Sequence, residues 1–184
     1  HFLFVARLLK EKGIGLYLSA AKRIVQNHSN VMFHICGGCD DHKYLDAVKE
    51  AENAGYMQYH GEQKNMLPYF QMAHCVVHPS YYPEGMSNVL LEAAASGRPV
   101  IATDRSGCRE TVDEGKTGYL IPVRDEDALV QALEDFLNLT WKERAELGHA
   151  GRLKMEHEFD RQIVVQKYLD ILETYRTSLC EVRG

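Results

Sequence analysis

No apolar run in this sequence of 184 residues approaches the roughly 18–20 residues that a membrane helix needs; the longest candidates, such as Phe2 to Ala6, are strand-sized. An excess of positive charge is also missing. With 21 Lys and Arg against 26 Asp and Glu, the net charge is -5, whereas a nucleic-acid module normally carries a basic field. A small anionic ligand stays open, because it needs only a local cluster of donors. There is no initiator Met, charged leader or cleavage signal ahead of the first apolar run. A sequence that starts at His1 in this way is expected to be a piece of a longer chain, with a strand as its first element. Internal repeats and low-complexity linkers are absent. The 45% hydrophobic and 26% charged residues fit one ordinary globular domain and exclude disorder.

The five cysteines (Cys36, Cys39, Cys75, Cys108, Cys180) are odd in number and scattered, which fits free thiols in a reducing, cytoplasmic compartment better than a disulfide framework. Asn27–Ser29 and Asn138–Thr140 match the glycosylation sequon, but without a secretory signal they read as chance.

Apolar periodicity sets out the elements. Strands are expected at Phe2–Ala6, Val31–Cys36, Met57–His60, Cys75–His78, Val100–Thr103 and Tyr119–Ile121. Helices are expected at Gly15–Gln26 (Leu16, Ala20 and Ile24 inward), Asp41–Ala54, Asn65–Ala73 with Pro68 in its first turn, Met86–Ser96, Asp127–Asn138, Thr140–His157 and Asp160–Thr177, with a helical turn at Ser106–Asp113. Asp41 opens its helix as the dipole favours and Gly55 closes it. Thr140 with Glu143 three residues on reads as a capping box. This alternation implies a doubly wound, Rossmann-like α/β fold with a parallel sheet covered on both faces. Such sheets hold ligands outside the carboxyl ends of their strands, so the loops after residues 6, 36, 60, 78 and 103 are the ones to inspect. Strand order is not readable.

Several chemical motifs fail. Gly13-Ile-Gly15 has Leu18 where a dinucleotide fingerprint needs its third glycine. Gly115-Lys116-Thr117 echoes the end of a phosphate-binding loop, but Glu110 stands at the upstream glycine and Asp113-Glu114 repel phosphate; a polar turn accounts for it. Cys36-Gly-Gly-Cys39 lacks a second ligand pair at zinc spacing. His74 and His78, four apart, are expected in extended chain with no Glu between them, and Asp40-Asp41-His42 reads as a solvated helix start. No metal site is therefore expected.

Two segments remain, both on carboxyl-end loops. Arg7-Leu-Leu-Lys-Glu-Lys12-Gly13 follows the first strand; its planar guanidinium fork and compact ammonium suit a diphosphate. Pro79 to Glu92 runs from the fourth strand into a helix. There Gly85 permits close backbone approach, and Met86, Ser87 and Asn88 bring free N–H groups and the positive dipole end to the helix start. Glu84 and Glu92 flank that cradle and can accept hydroxyl hydrogens from sugars on either side.

The Glu84-x7-Glu92 spacing, with Arg7, Lys12-Gly13, Ala94-Ala-Ser-Gly-Arg-Pro-Val-Ile, Gly107-Cys-Arg-Glu110 and Gly115-x-x-Gly118-Tyr-Leu-Ile-Pro122, resembles the donor-binding, carboxy-terminal half of GT-B glycosyltransferases. More narrowly it resembles the retaining family 4 (group 1) type, over about residues 2–176. The resemblance implies that residues 1–184 form one nucleotide-sugar-binding domain. Arg7 and Lys12 would hold the donor diphosphate and stabilise the charge growing on it, helped by the amides of Gly85 to Asn88. Glu84 would bond the donor sugar, Glu92 the ribose, and the loop at His60-Gly61-Glu62 would lie beside the base. It implies no cofactor and no metal, the cations taking the metal's place.

Gly85–Asn88 stands where the family commonly has Phe-Gly. It resembles variants of surface-polysaccharide and lipid-linked-oligosaccharide assembly and favours a UDP-linked hexose or N-acetylhexosamine. The resemblance implies that the family's amino-terminal domain, which binds the acceptor, lies outside this sequence. The helix at about 160–177 is expected to cross to it, leaving an exposed apolar patch with Ile163, Val164, Tyr168, Ile171, Leu172 and Tyr175. This stretch alone is expected to bind nucleotide without turnover. The expected partners are a nucleotide sugar, that missing domain and, through it, a saccharide or lipid-linked acceptor at the cytoplasmic membrane, with no nucleic acid. The alternatives are a non-catalytic nucleotide-binding module and a GT-B-like sugar 2-epimerase.

Overall fold

A computed structural model describes residues 1–39, 42–83 and 85–181, with side chains omitted at 42 and 176–181. The chain alternates strand and helix throughout. Its elements are β1 (Phe2–Val5), α1 (Ile14–Ile24), β2 (Phe33–Cys36), α2 (His42–Asn53), β3 (Met57–Tyr59), α3 (Leu67–Met72), β4 (Cys75–His78), α4 (Asn88–Ala95), β5 (Val100–Thr103), β6 (Gly118–Ile121), α5 (Glu126–Asn138), α6 (Trp141–Glu158) and α7 (Arg161–Glu181). The strands form one parallel sheet in the order β3-β2-β1-β4-β5-β6. This is the doubly wound arrangement that the alternation implies.

Period-two alternation divides the strand side chains between two cores. Phe2, Phe4, Phe33, Ile35, Cys75, Val77, Ile101 and Ile121 face α1, α2 and α5 in one core. Leu3, Cys36, Val76, Val100 and Ala102 meet Phe70 of α3 and Leu90 and Ala93 of α4 in the other. Each fully buried Phe, Leu or Ile contributes about 1.5–3 kcal/mol. Both faces being covered explains why the strands read as continuous apolar runs. The inward face of α1 is Ile14, Tyr17, Ala20, Ala21 and Ile24, and Leu16 sits at its margin. Tyr17 carries its hydroxyl into the core because Phe2 O and His34 O accept from it at 3.0 and 3.1 Å.

The structure shortens several expected elements. The helix expected from Met86 begins at Asn88 with Ser87 as its N-cap. Ser106–Asp113 contains a single 3-10 turn, Arg109–Thr111. A 3-10 turn at Lys10–Lys12 had no sequence signal, since three residues are too few to show a period. Asp40 and Asp41 lie outside the described residues. Cys36, Cys39, Cys75 and Cys108 are free thiols, and burial pushes Cys36 up to about 12, which makes it an inert core group.

The capping box on α6 is present: Glu143 N donates to Thr140 Oγ1 at 3.3 Å, and Thr140 N donates to Glu143 Oε2 at 2.7 Å. Thr140→Ala is expected to cost about 1 kcal/mol, read as a fall in Tm of about 2–4 °C by calorimetry. On α7, Val164, Tyr168, Ile171, Leu172 and Tyr175 are all more than half exposed, an apolar surface well beyond scattered single residues.

Candidate functional site

In this strand order the chain leaves β1 toward one edge of the sheet and β4 toward the other, so a crevice opens between their carboxyl ends. The loops bounding it are those after Val5 and His78. The first is anchored by Leu8, which is fully buried and whose N–H donates to Gly38 O at 2.8 Å. Leu8 points inward, and Arg7 beside it stays exposed. The 3-10 turn then closes on Gly13, whose N–H donates to Lys10 O.

Gly13 holds the two loops together. Its φ is 81°, and a Cβ there would lie 2.2 Å from Pro79 O, so only glycine lets the second loop pass. Tyr81 N and Tyr82 N both donate to Glu11 O, at 2.9 and 3.1 Å. Ser80 Oγ reaches the same carbonyl at 3.4 Å. One backbone oxygen thus ties the β1 loop to the β4 loop. Lys12 Nζ lies 4.7 Å from the centre of the Tyr82 ring, a cation–π contact that braces the same junction.

Between the loops lies a cleft of about 290 Å³, lined by Val5, Ala6, Arg7, Lys12, His78, Met86, Ser87, Asn88 and Val89. Five of the residues singled out by sequence, Arg7, Lys12, Met86, Ser87 and Asn88, therefore meet in one concavity. Gly85 is exposed with open space around it and is not among the lining residues. Glu92 lines a second, larger groove of about 800 Å³ with Leu67 and Phe70 of α3, Met66 just ahead of that helix, and Arg98, His149 and Arg152. It lies four residues beyond Asn88, about 6 Å along α4 on the same face. Gly61 stands apart at the end of β3, where Gly37 N donates to its carbonyl at 2.8 Å and His34 bonds His60 at 3.0 Å. Glu84 lies outside the described residues.

One expectation needs correcting. The amide of Ser87 is not free: it donates to Gly107 O at 2.9 Å. The loop after β5 claims it, so what Ser87 offers the cleft is its hydroxyl.

Positive charge gathers here. Burial, then Arg7 and further off Arg105, hold the Lys12 ammonium below the usual lysine range, with Cys108 opposing them. Arg105, just beyond β5, escaped the sequence reading although the loop after residue 103 was marked for inspection; a lone arginine there carries no spacing pattern. His78 was also missed, having been weighed only as a metal ligand with His74. It is 2% exposed at the end of β4, and its Nε2 lies 3.3 Å from Ser87 Oγ. Burial first, then Lys12, pushes it down to about 4, so the imidazole is neutral near pH 7. Among the described residues no group of three His, Cys, Asp or Glu could hold a metal ion, and no helix is long and apolar enough to cross a membrane. Two cations, a hydroxyl and a helix N-terminus around one concavity can bind an anion and stabilise charge that grows on it.

A sequence profile described as "Glycosyl transferases group 1" matches residues 1–154. The chain is 30% identical over 184 residues to the spore coat protein SA of Bacillus subtilis, across 95% of this chain and 48% of that protein. It is 27% identical over 186 residues to the capsular polysaccharide biosynthesis glycosyltransferase CapM of Staphylococcus aureus, across 98% and 47%. The chain spans about half the length of the curated relatives it matches. Among solved structures it is similar to Anabaena HepE in complex with UDP, with a TM-score of 0.82 at 20% identity over 95% of this chain and 49% of that one. It is also similar to the C-terminal domain of a group 1 family glycosyl transferase, LpcC, from Francisella tularensis, with a TM-score of 0.75 at 21% identity over 86% of each. What is shared at those identities is the fold, the Rossmann-like half of a GT-B enzyme.

Proposed function

The chain belongs to the group 1 glycosyltransferases, and on that premise we propose that residues 1–184 are the donor-binding domain of a retaining enzyme. It would move a hexose or N-acetylhexosamine from a UDP-linked donor to a saccharide or lipid-linked acceptor in surface-polysaccharide or glycolipid synthesis. The observation that carries the reading is the convergence of Arg7 and Lys12 with Met86, Ser87 and Asn88 on one cleft at the sheet's switch point. A relative named for capsular polysaccharide biosynthesis and a similar structure solved with UDP support the class of product and of nucleotide.

In this reading the diphosphate lies in the small cleft. Arg7 and Lys12 neutralise it, Arg105 adds to the local field, and the α4 dipole points at it. As the glycosidic bond lengthens, negative charge grows on the leaving phosphate. Those same groups then bind more tightly than in the ground state, which is what lowers the barrier. Cations in place suit a transfer that needs neither cofactor nor metal. The nucleoside runs along α4 into the larger groove, with Glu92 accepting from the ribose hydroxyls and the Gly61 loop beside the base. Glu84 and the backbone at Gly85 would meet the donor sugar.

The acceptor would belong to an amino-terminal domain that the apolar face of α7 would join, and a lipid-linked acceptor would bring the whole enzyme to the cytoplasmic side of a membrane. The 184-residue chain by itself is then expected to bind donor without transferring sugar.

A thermal-shift screen of nucleotides and nucleotide sugars tests this. At 100 times its dissociation constant a true ligand stabilises by about 2.7 kcal/mol. UDP and a UDP-sugar should raise Tm, and a flat response to every nucleoside diphosphate would contradict the proposal. Glu92→Ala is expected to weaken UDP and uridine alike, by about tenfold for one lost charge-assisted hydrogen bond, as titration calorimetry would show. A loss confined to UDP would remove Glu92 from the ribose.

A further inference from the structure

Ser87 is an N-cap that does not cap. At the first residue before a helix a serine hydroxyl ordinarily accepts from an N–H of the first turn, which contributes about 1 kcal/mol. Ser87 makes no such bond. Its hydroxyl instead meets His78 Nε2 at 3.3 Å, in the wall of the cleft. A helix that forgoes its cap has its serine held for something else. The second observation concerns the other ring nitrogen. His78 Nδ1 is buried with no hydrogen-bond partner among the described residues.

These two facts choose the tautomer. A buried N–H without an acceptor costs more than a buried lone pair without a donor. The neutral ring therefore carries its proton on Nε2 and leaves Nδ1 bare. Nε2–H donates to Ser87 Oγ, which occupies an oxygen lone pair and turns the hydroxyl hydrogen away from the histidine. Since the Ser87 amide is held by Gly107 O, that hydrogen is the one polar hydrogen Ser87 has left to give.

We propose that His78 is a positioning residue: it fixes the Ser87 hydroxyl as a hydrogen-bond donor to a diphosphate bound between Arg7, Lys12 and the start of α4. The inference rests on the reading that this cleft takes the donor diphosphate. It adds to that reading a neutral donor at the floor of a cradle otherwise made of cations and backbone. His78 acts through Ser87, and the low affinity of its buried ring for a proton, with Lys12 nearby, keeps the ring neutral across the neutral range.

Titration calorimetry of UDP and uridine on the full chain tests it. Wild type should prefer UDP strongly over uridine; if it does not, the diphosphate reading itself fails and this inference falls with it. Given that preference, His78→Leu should weaken UDP by about tenfold, equivalent to roughly 1.4 kcal/mol, and leave uridine unchanged. His78→Gln, whose amide N–H reaches the same serine, should restore most of the loss. Ser87→Ala should match His78→Leu, and the double variant should be no weaker than either, because both remove one contact.

Retention of the UDP preference in His78→Leu, or equal losses of UDP and uridine, would overturn the inference while leaving the diphosphate site standing. Should His78→Leu fail to fold, the other two variants decide. Ser87→Ala binding UDP as wild type does would overturn the inference; a selective loss there with UDP binding kept in His78→Gln would support it.

Discussion

Gly13→Ala is expected to lower the stability of the fold by about 3–5 kcal/mol, a fall in Tm on the order of 10 °C for a chain of this size, and to abolish nucleotide binding with it. Two costs combine. Alanine in the left-handed conformation at φ 81° is strained by itself, about 1 kcal/mol or more. The larger cost is steric, because the new Cβ would stand 2.2 Å from Pro79 O. Relief requires the β1 and β4 loops to part, which strains or breaks the bonds from Tyr81 N and Tyr82 N to Glu11 O. It also withdraws Lys12 from the cleft it lines with Ser87. Gly85→Ala is the contrast: a Cβ there meets nothing within 4 Å, and the change should lie within about 0.5 kcal/mol of wild type. Differential scanning calorimetry on the two variants separates a glycine that the architecture demands from one that it merely contains.

Lys12→Ala is expected to weaken UDP binding by about 1.5–3 kcal/mol, roughly 10- to 150-fold, and Arg7→Ala by a similar order. The same change should alter the stability of the unliganded fold little, because relief of a partly buried charge is set against loss of the Tyr82 contact. Lys12 has its folded-state pKa depressed, burial being the main cause and Arg7 the next. A depressed lysine pKa means that at neutral pH the charged form is less at ease in the folded chain than in the unfolded one, so charge at this position costs stability. Affinity therefore falls while stability changes little, as expected of a residue placed for its ligand. The affinity loss is read by calorimetry and the stability by thermal melting without ligand. Equal affinity for UDP in wild type and Lys12→Ala would remove the lysine from the site. Raised ionic strength should weaken UDP binding to wild type more than to the variant.

Much of this arrangement was legible in the sequence, and what was not has physical reasons. Cys75–His78 and Val100–Thr103 are read with their true ends because turn residues follow each run. Thr140 and Glu143 announce their helix because a capping box is a local, reciprocal pair. Strand order is a different matter. It depends on which helices pack on which face, and no residue in β1 records that β4 is its neighbour.

The site divides in the same way. Arg7, Lys12 and the Met86–Asn88 turn carry their own signals: cations after a strand, a glycine before a helix start. Their convergence rests on Glu11 O and the absent side chain of Gly13, and a backbone carbonyl has no sequence signature. His78 and Arg105 were hidden for another reason. Each is a single residue whose role comes from a neighbour outside any local pattern, Ser87 across a loop for one and Lys12 far back in the chain for the other. The Ser87 amide was expected to be free because Gly107 is 20 residues away and nothing local foretells that contact.

The most direct test is a crystal structure of the chain with UDP. The account predicts the two phosphates in the cleft between the β1 and β4 loops, with oxygens within hydrogen-bonding distance of Lys12 Nζ, the Arg7 guanidinium, Ser87 Oγ and the first amides of α4, and with the ribose toward Glu92. A diphosphate found instead against Arg98 and Arg152 in the larger groove, leaving the Arg7–Lys12 cleft untouched, would contradict it.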